Sequence, residues 1–253
     1  MLCELLKSTG VAGHPEEYFE ARDATGLPPH PRDFLAGLSG TCAADLRPAH
    51  GPPYSDLRGL ADYREHLRRT FELGTTSNGV FGAKLMWSQL PDLHRLTSTV
   101  PEFRGVGRTD LLDRLFGNPS YVWISRRDKV RQAISLWRAL QTRAWRGEQA
   151  PVGCEQLSAR YGFAEIDHLA RMLAADDGSW ARHFAAGGQR PLVIHYEDDL
   201  ERDPGAATRR VLEHIGVEAP AGWRASAPTA RQSDALNDEW LAAYDRDARA
   251  RAG

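Results

Sequence analysis

Hydrophobic and polar positions change period most sharply between Tyr121 and Gly147, YVWISRRDKVRQAISLWRALQTRAWRG. Tyr121 to Ser125 are rich in β-branched and aromatic side chains and predict a short buried strand. From Asp128 the spacing turns helical, and Val130, Ala133, Ile134, Trp137, Leu140 and Ala144 share one apolar stripe. At about 100° per residue, Arg131, Ser135, Arg138 and Thr142 fall on a neighbouring stripe. Arg126 and Arg127 occupy the corner between strand and helix.

The same reading predicts the rest of the chain. Met1 to Ser8 is a helix with Leu2, Leu5 and Leu6 on one side and Gly10 as its C-cap. In VAGHPEEYFE, residues 11 to 20, Gly13 and Pro15 turn the chain into a short helix carrying Glu16, Glu17 and Glu20. Prolines and glycines crowd residues 21 to 54, a long loop region with a short helix near Arg32 to Leu38. Ser55 is the expected N-cap of a helix from Asp56 to Leu73, ended by Gly74. Asn78 to Trp87 reads as a turn and a strand, with short helices at Pro91 to Leu96 and Asp110 to Phe116.

Phe163 to Ala186 is an amphipathic helix expected to kink or break near Asp176 to Gly178. Leu192 to Tyr196 is a buried strand, Gly205 to His214 a helix ended by Gly216, and the tail from Arg231 an extended segment before a helix anchored by Trp240. Strands near 79–85, 121–125 and 192–196, each leading towards a helix, predict an α/β fold: a single domain with an open central parallel sheet flanked by helices.

Composition narrows the function. With 42% hydrophobic and 26% charged residues in 253, the chain can bury a sizeable core. A net charge of −2 gives no global attraction to nucleic acid or to an anionic membrane, so an anionic ligand needs a local basic cluster. Arginine far outnumbers lysine, which suits phosphate binding, although the abundance of alanine points to a GC-rich genome as the cause. Cys3, Cys42 and Cys154 form neither a CxxC pair nor a metal-ligand spacing, which fits a reducing cytoplasm and no metal. No apolar run is long enough to span a bilayer, and Glu4 without a basic leader argues against a secretory signal.

The corner at Arg126 and Arg127 is chemically suited to an anion, because unpaired N–H groups at a helix start and guanidinium forks both favour phosphate oxygens. A plain βα unit with a solvated arginine face fits the same residues. The order of residues adds more. An arginine closing a strand, with a serine eight positions later on the next helix, resembles the 3′-phosphate site of sulfotransferases that use 3′-phosphoadenosine 5′-phosphosulfate (PAPS). By that spacing Arg127 and Ser135 are the pair, and Arg126, one position off register, is the alternative. The runs QAISLWRALQTRAWRG and NGVFGAKLMWSQ are similar to the bacterial trehalose 2-sulfotransferase family, and the likeness extends over nearly the whole chain.

The resemblance implies PAPS as donor, a carbohydrate acceptor with trehalose as the family's own, no metal, and a homodimer. It places the proposed base on Glu17, with His14 as the rival base or a sugar contact. A carboxylate at that point suits removal of the acceptor's hydroxyl proton, while helix-start acids favoured by the dipole are the plain alternative. Lys84 and Trp87 are candidate ligand contacts, the indole as a platform for a sugar face; a surface position fits Lys84 equally, and a core position fits Trp87 better than a sugar contact. Tyr196, in a YEDL-like string, corresponds to the tyrosine near the adenine, and Arg231 and Gln232 to a tail that folds onto the 3′-phosphate.

The family also begins with a strand and an RSGST-type loop for the 5′-phosphosulfate, which would precede Met1. A misassigned start codon, a truncated chain or a degenerate protein would each explain this, the first being favoured. Without that loop the expectation is a partial 3′-phosphate site and very low activity. Two other functions remain open on the sequence: a phosphoadenosine-binding relative without turnover, and a sulfotransferase acting on another glycan or a glycolipid.

Overall fold

A computed structural model describes residues 1–19, Phe34, Leu38, 62–142, 159–225 and 235–253. Glu20, the helix expected at Arg32 to Leu38, the Ser55 cap, Ala144, Arg231 and Gln232 lie wholly or mostly outside the described residues. The chain divides into two compact units, one of Met1–Arg32, His50–Ser125 and Gly178–Pro228, the other of Asp33–Ala49, Arg126–Asp177 and Thr229–Gly253.

The first unit holds a parallel pair of strands, β1 (Val122–Ser125) and β2 (Leu192–His195), in register Val122 with Leu192 through Ser125 with His195. Both are short apolar runs, and Ile194 is fully buried. Helix α1 (Leu2–Thr9) ends at Gly10, whose φ of 68° is the left-handed conformation a C-cap requires. Leu2 and Leu6 of α1 pack with Ile194 and with Ala207, Val211 and Leu212 of a helix that starts at Pro204. A larger core joins α2 (Tyr63–Gly74), α3 (Leu90–Thr97) and α4 (Leu111–Phe116) through Leu67, Leu90, Leu93, Leu111 and Leu115.

The second unit holds α5 (Lys129–Thr142), the first part of α6 (Phe163–Gly187) and, after α7 (Pro204–His214) of the first unit, α8 (Ala235–Ala252). The apolar stripe read from the sequence is the buried one. Ala133, Ile134 and Trp137 meet Ile166, Leu169, Leu173 and Trp240, and the Trp137 indole donates to the Arg160 carbonyl at 2.8 Å.

Several boundaries differ from expectation, each for a local reason. The helix expected from Asp56 begins at Tyr63, where the Asp62 carboxylate accepts the Glu65 N–H at 2.9 Å. Helix α6 is continuous over 25 residues, with no break at Gly178, because one interior glycine costs only about 1 kcal/mol. Its residues up to Asp177 belong to the second unit and those from Gly178 to the first. Strand β2 stops at His195, whose N–H is taken by the Asp199 carboxylate, and Tyr196 opens a single wide turn, Tyr196–Leu200.

The strand expected near 79–85 is replaced by two isolated bridges, Thr75 with Phe81 and Glu16 with Ala83. Gly79, at φ 84°, turns the chain before a ladder can extend. The short helix expected around Glu16 is absent for the matching reason: Glu16 is extended and paired to Ala83.

Candidate active site

Two backbone segments of the first unit, residues 11–19 and 74–89, lie directly against each other. Gly13 and Gly82 allow it, since a Cβ on Gly13 would stand 2.3 Å from the Gly82 nitrogen. His14 and Gly82 both donate N–H to the Gly74 carbonyl, at 2.9 and 3.0 Å, and Lys84 N–H donates to the Glu16 carbonyl at 2.9 Å. Gly13 N–H reaches the Thr76 hydroxyl at 3.2 Å, and the Asn78 amide reaches the Val11 carbonyl at 2.8 Å.

Neighbouring side chains on an extended strand point to opposite faces, so the two glutamates part company. Glu16 goes to Lys7, which also pairs with Glu4 at 2.7 Å. Burial works against the Lys7 ammonium, but hydrogen bonds to Glu16 and Glu4 outweigh it and raise its pKa. Glu17 goes the other way. Its Oε1 accepts from the Lys84 ammonium at 2.6 Å and its Oε2 from the Gln89 amide at 3.0 Å. An ionised carboxylate has about four acceptor positions, so the one donor that each oxygen meets among the described residues leaves further positions there for a proton donor. With 32% of its side chain exposed, Glu17 is held in place yet reachable from solvent.

The surrounding residues set the limits of the chemistry. His14 is exposed, and its carbonyl accepts the Tyr18 hydroxyl at 2.7 Å. Burial, and then the Glu16 charge, push Tyr18 up to about 12, so it stays a neutral donor. Burial likewise raises the Cys3 thiol despite Lys84, which leaves it a poor nucleophile at neutral pH. Trp87 begins the short turn Trp87–Gln89; it is half-buried, with its ring edge-to-face on Trp180 at 5.1 Å.

In the second unit, Arg126 is half-buried, Arg127 is exposed, and Ser135 sits half-buried on α5. Asp128 caps the helix by accepting the Arg131 N–H at 2.8 Å. The arginine stripe is shared out along its length: Arg131 binds Asp238 at 2.8 Å and Arg138 binds Asn237 at 2.7 Å, so both tie α5 to α8. Tyr196, in the first unit, is half-buried against the apolar cluster of α1 and α7.

Sequence reasoning missed Gln89. It is 7% exposed, and its own side-chain oxygen accepts the Met86 N–H at 2.9 Å. Its partner Glu17 lies 72 positions away, so no local pattern marks it. A cavity of about 270 Å³ lined by Asp113, Tyr121, Gln189, Arg190 and His214 lies at the start of β1. Ligands of parallel sheets bind beyond the carboxyl ends of the strands, which sets this cavity apart from the reaction. Among the described residues no group of three or more His, Cys, Asp or Glu side chains is placed to hold a metal, and no helix is long and apolar enough to cross a membrane.

The family model described as Stf0 sulphotransferase matches residues 1–247. The chain is 36% identical over 250 residues to a trehalose 2-sulfotransferase of Mycobacterium tuberculosis (strain Erdman), covering 98% of this chain and 90% of that protein. It is 34% identical over 250 residues to a trehalose 2-sulfotransferase of Mycolicibacterium smegmatis, with the same 98% and 90% coverage. On the match across residues 1–247 and these two relatives, the chain belongs to the Stf0 sulphotransferase family.

Proposed function

We propose that this chain transfers the sulfuryl group of PAPS to the 2-hydroxyl of trehalose, with Glu17 as general base. The relatives' trehalose 2-sulfotransferase activity supports the acceptor. The observation that carries the proposal is the partly exposed Glu17 carboxylate, fixed by Lys84 on one oxygen and Gln89 on the other.

In the proposed step the sugar oxygen forms a bond to sulfur as the bond from sulfur to the 5′-phosphate oxygen breaks. The hydroxyl proton passes to Glu17, and 3′-phosphoadenosine 5′-phosphate departs with the electron pair. Catalysis of such a transfer rests on positioning and on stabilising the charge that builds on the leaving phosphate. Arg127 or Arg126, together with Ser135, binds the 3′-phosphate; the guanidinium fork and the hydroxyl are both suited to phosphate oxygens. Tyr196 lies by the adenine, Arg231 and Gln232 close on the 3′-phosphate, and His14, Lys84 and Trp87 contact the sugar. The protein acts as a cytoplasmic homodimer.

The test is transfer from ³⁵S-labelled PAPS to trehalose. The expected result is labelled trehalose 2-sulfate, with kcat lowered about 10²- to 10⁴-fold by Glu17→Gln. Binding of 3′-phosphoadenosine nucleotides without transfer to any sugar would overturn the proposal in favour of a non-catalytic relative. Transfer to another glycan or a glycolipid would replace only the acceptor.

A further inference from the structure

Lys84 and Gln89 hold the same carboxylate by different means. Lys84 is a charged, flexible side chain, 41% exposed. Gln89 is buried, and its amide is fixed at both ends: the oxygen accepts the Met86 N–H at 2.9 Å while the nitrogen donates to Glu17 Oε2 at 3.0 Å. Met86 is the residue just before the turn Trp87–Gln89 that leads into α3, so the amide orientation is set by backbone. A backbone N–H can only donate, so it forces the glutamine oxygen towards Met86 and the two amide hydrogens towards Glu17.

We infer that Gln89 is a positioning residue for the proposed base, orienting the Glu17 carboxylate through a neutral hydrogen bond. The inference rests on the base role proposed for Glu17. A neutral donor suits this task. It fixes the carboxylate rotamer without a second full positive charge, which would make the group a weaker base. Among the described residues Lys84 supplies a direct cationic contact and Glu16 is turned away to Lys7, which also holds Glu4. The titratable groups near Glu17 there are thus Lys84, with Glu16, Lys7, Glu4 and the neutral Cys3 thiol behind them. Orientation matters because a general base acts only within hydrogen-bond reach of the proton it takes.

Gln89→Glu is the informative variant. Its carboxylate still accepts the Met86 N–H, so the local backbone is kept, but it presents a second negative charge to Glu17 in place of a donor. Adding a like charge disfavours the ionised form of its neighbour. Two readouts follow. In protein labelled with [5-¹³C]glutamate, the carboxyl resonance lost in Glu17→Gln identifies Glu17, and its titration moves to higher pH in Gln89→Glu. In the sulfate-transfer assay, the acidic limb of the kcat/KM profile moves the same way. At neutral pH, Gln89→Leu lowers kcat about 10²-fold with the KM for trehalose unchanged.

An unmoved Glu17 titration in Gln89→Glu overturns the contact and the inference with it, whatever the turnover. A resonance that moves while the rate profile stays in place removes Glu17 as the base, and with it both the proposed mechanism and the role of Gln89. If Glu17→Gln is inactive but Gln89→Leu keeps its full kcat, only the positioning role falls.

Discussion

Glu17 is placed by contacts between residues far apart in sequence, whereas the corner bearing Arg126, Arg127 and Ser135 is a single uninterrupted run. In the first unit, partners of Glu17 lie 67 and 72 positions away, and two glycines let the backbones that carry them touch. In the second, one helical period sets both the buried stripe of α5 and the row of polar residues beside it. The lesson concerns robustness. A position fixed by long-range hydrogen bonds depends on every part of that network, while one fixed by local periodicity depends chiefly on the core beneath the helix.

The largest effect on that comparison comes from removing the core under α5. Trp137 is 3% exposed and its indole N–H is satisfied by the Arg160 carbonyl. Trp137→Ala is expected to destabilise the protein by about 3–5 kcal/mol. Urea denaturation gives the size, and amide exchange locates it, with protection lost first from α5 and α8. A loss below about 1 kcal/mol would mean that the buried stripe is not what holds α5.

The next effect falls on the other region and depends on pH. His66 is 2% exposed, and its Nε2 lies 3.1 Å from the carbonyl of Tyr18, the residue after Glu17. Burial lowers its pKa from 6.5 to about 4, with the Tyr18 hydrogen bond pulling the other way. Because the folded pKa is depressed, the unfolded chain takes up a proton first as pH falls. The stability due to neutral His66 is therefore complete above about 6.5 and is lost on acidification towards 4. At 1.36 kcal/mol per unit this amounts to about 3 kcal/mol. Urea midpoints between pH 7 and 4.5 should fall accordingly, and His66→Gln should flatten the fall. A variant as acid-sensitive as the parent would place the effect on other groups.

These two cases also show how much the sequence could reveal. The ends of α1, α4 and α7, and the start of α5, fall within a residue or two of the expected positions, because each element carries its own stripe and boundary signal. The segment around Glu16 and Glu17 was expected to be helical, since a proline followed by acids has the composition of a helix start. Its true state is decided by Ala83 and Gly82, which no local rule can see. Glu17 was legible as a candidate through resemblance alone, and Gln89 was not legible at all. At α5 the elements were legible but not the use of the charges: an arginine stripe looks the same whether it meets phosphate or the carboxylate of a distant helix.

That last ambiguity leads to the smallest expected effect. Arg131 and Asp238 are 2.8 Å apart with 47% and 61% of their side chains exposed, and exposed pairs of this kind contribute about 0.2–1 kcal/mol. Arg131→Ala, Asp238→Ala and the double variant should therefore show a coupling within that range by urea denaturation. The same variants separate the two uses of the stripe. If Arg131 serves α8, its loss leaves the KM for PAPS unchanged, while Arg127→Ala or Arg126→Ala raises it about tenfold or more, as expected for a lost charge-assisted hydrogen bond to phosphate. A rise in KM from Arg131→Ala equal to that from the corner arginines would show that the whole stripe faces the nucleotide, with Asp238 holding Arg131 only until the donor arrives.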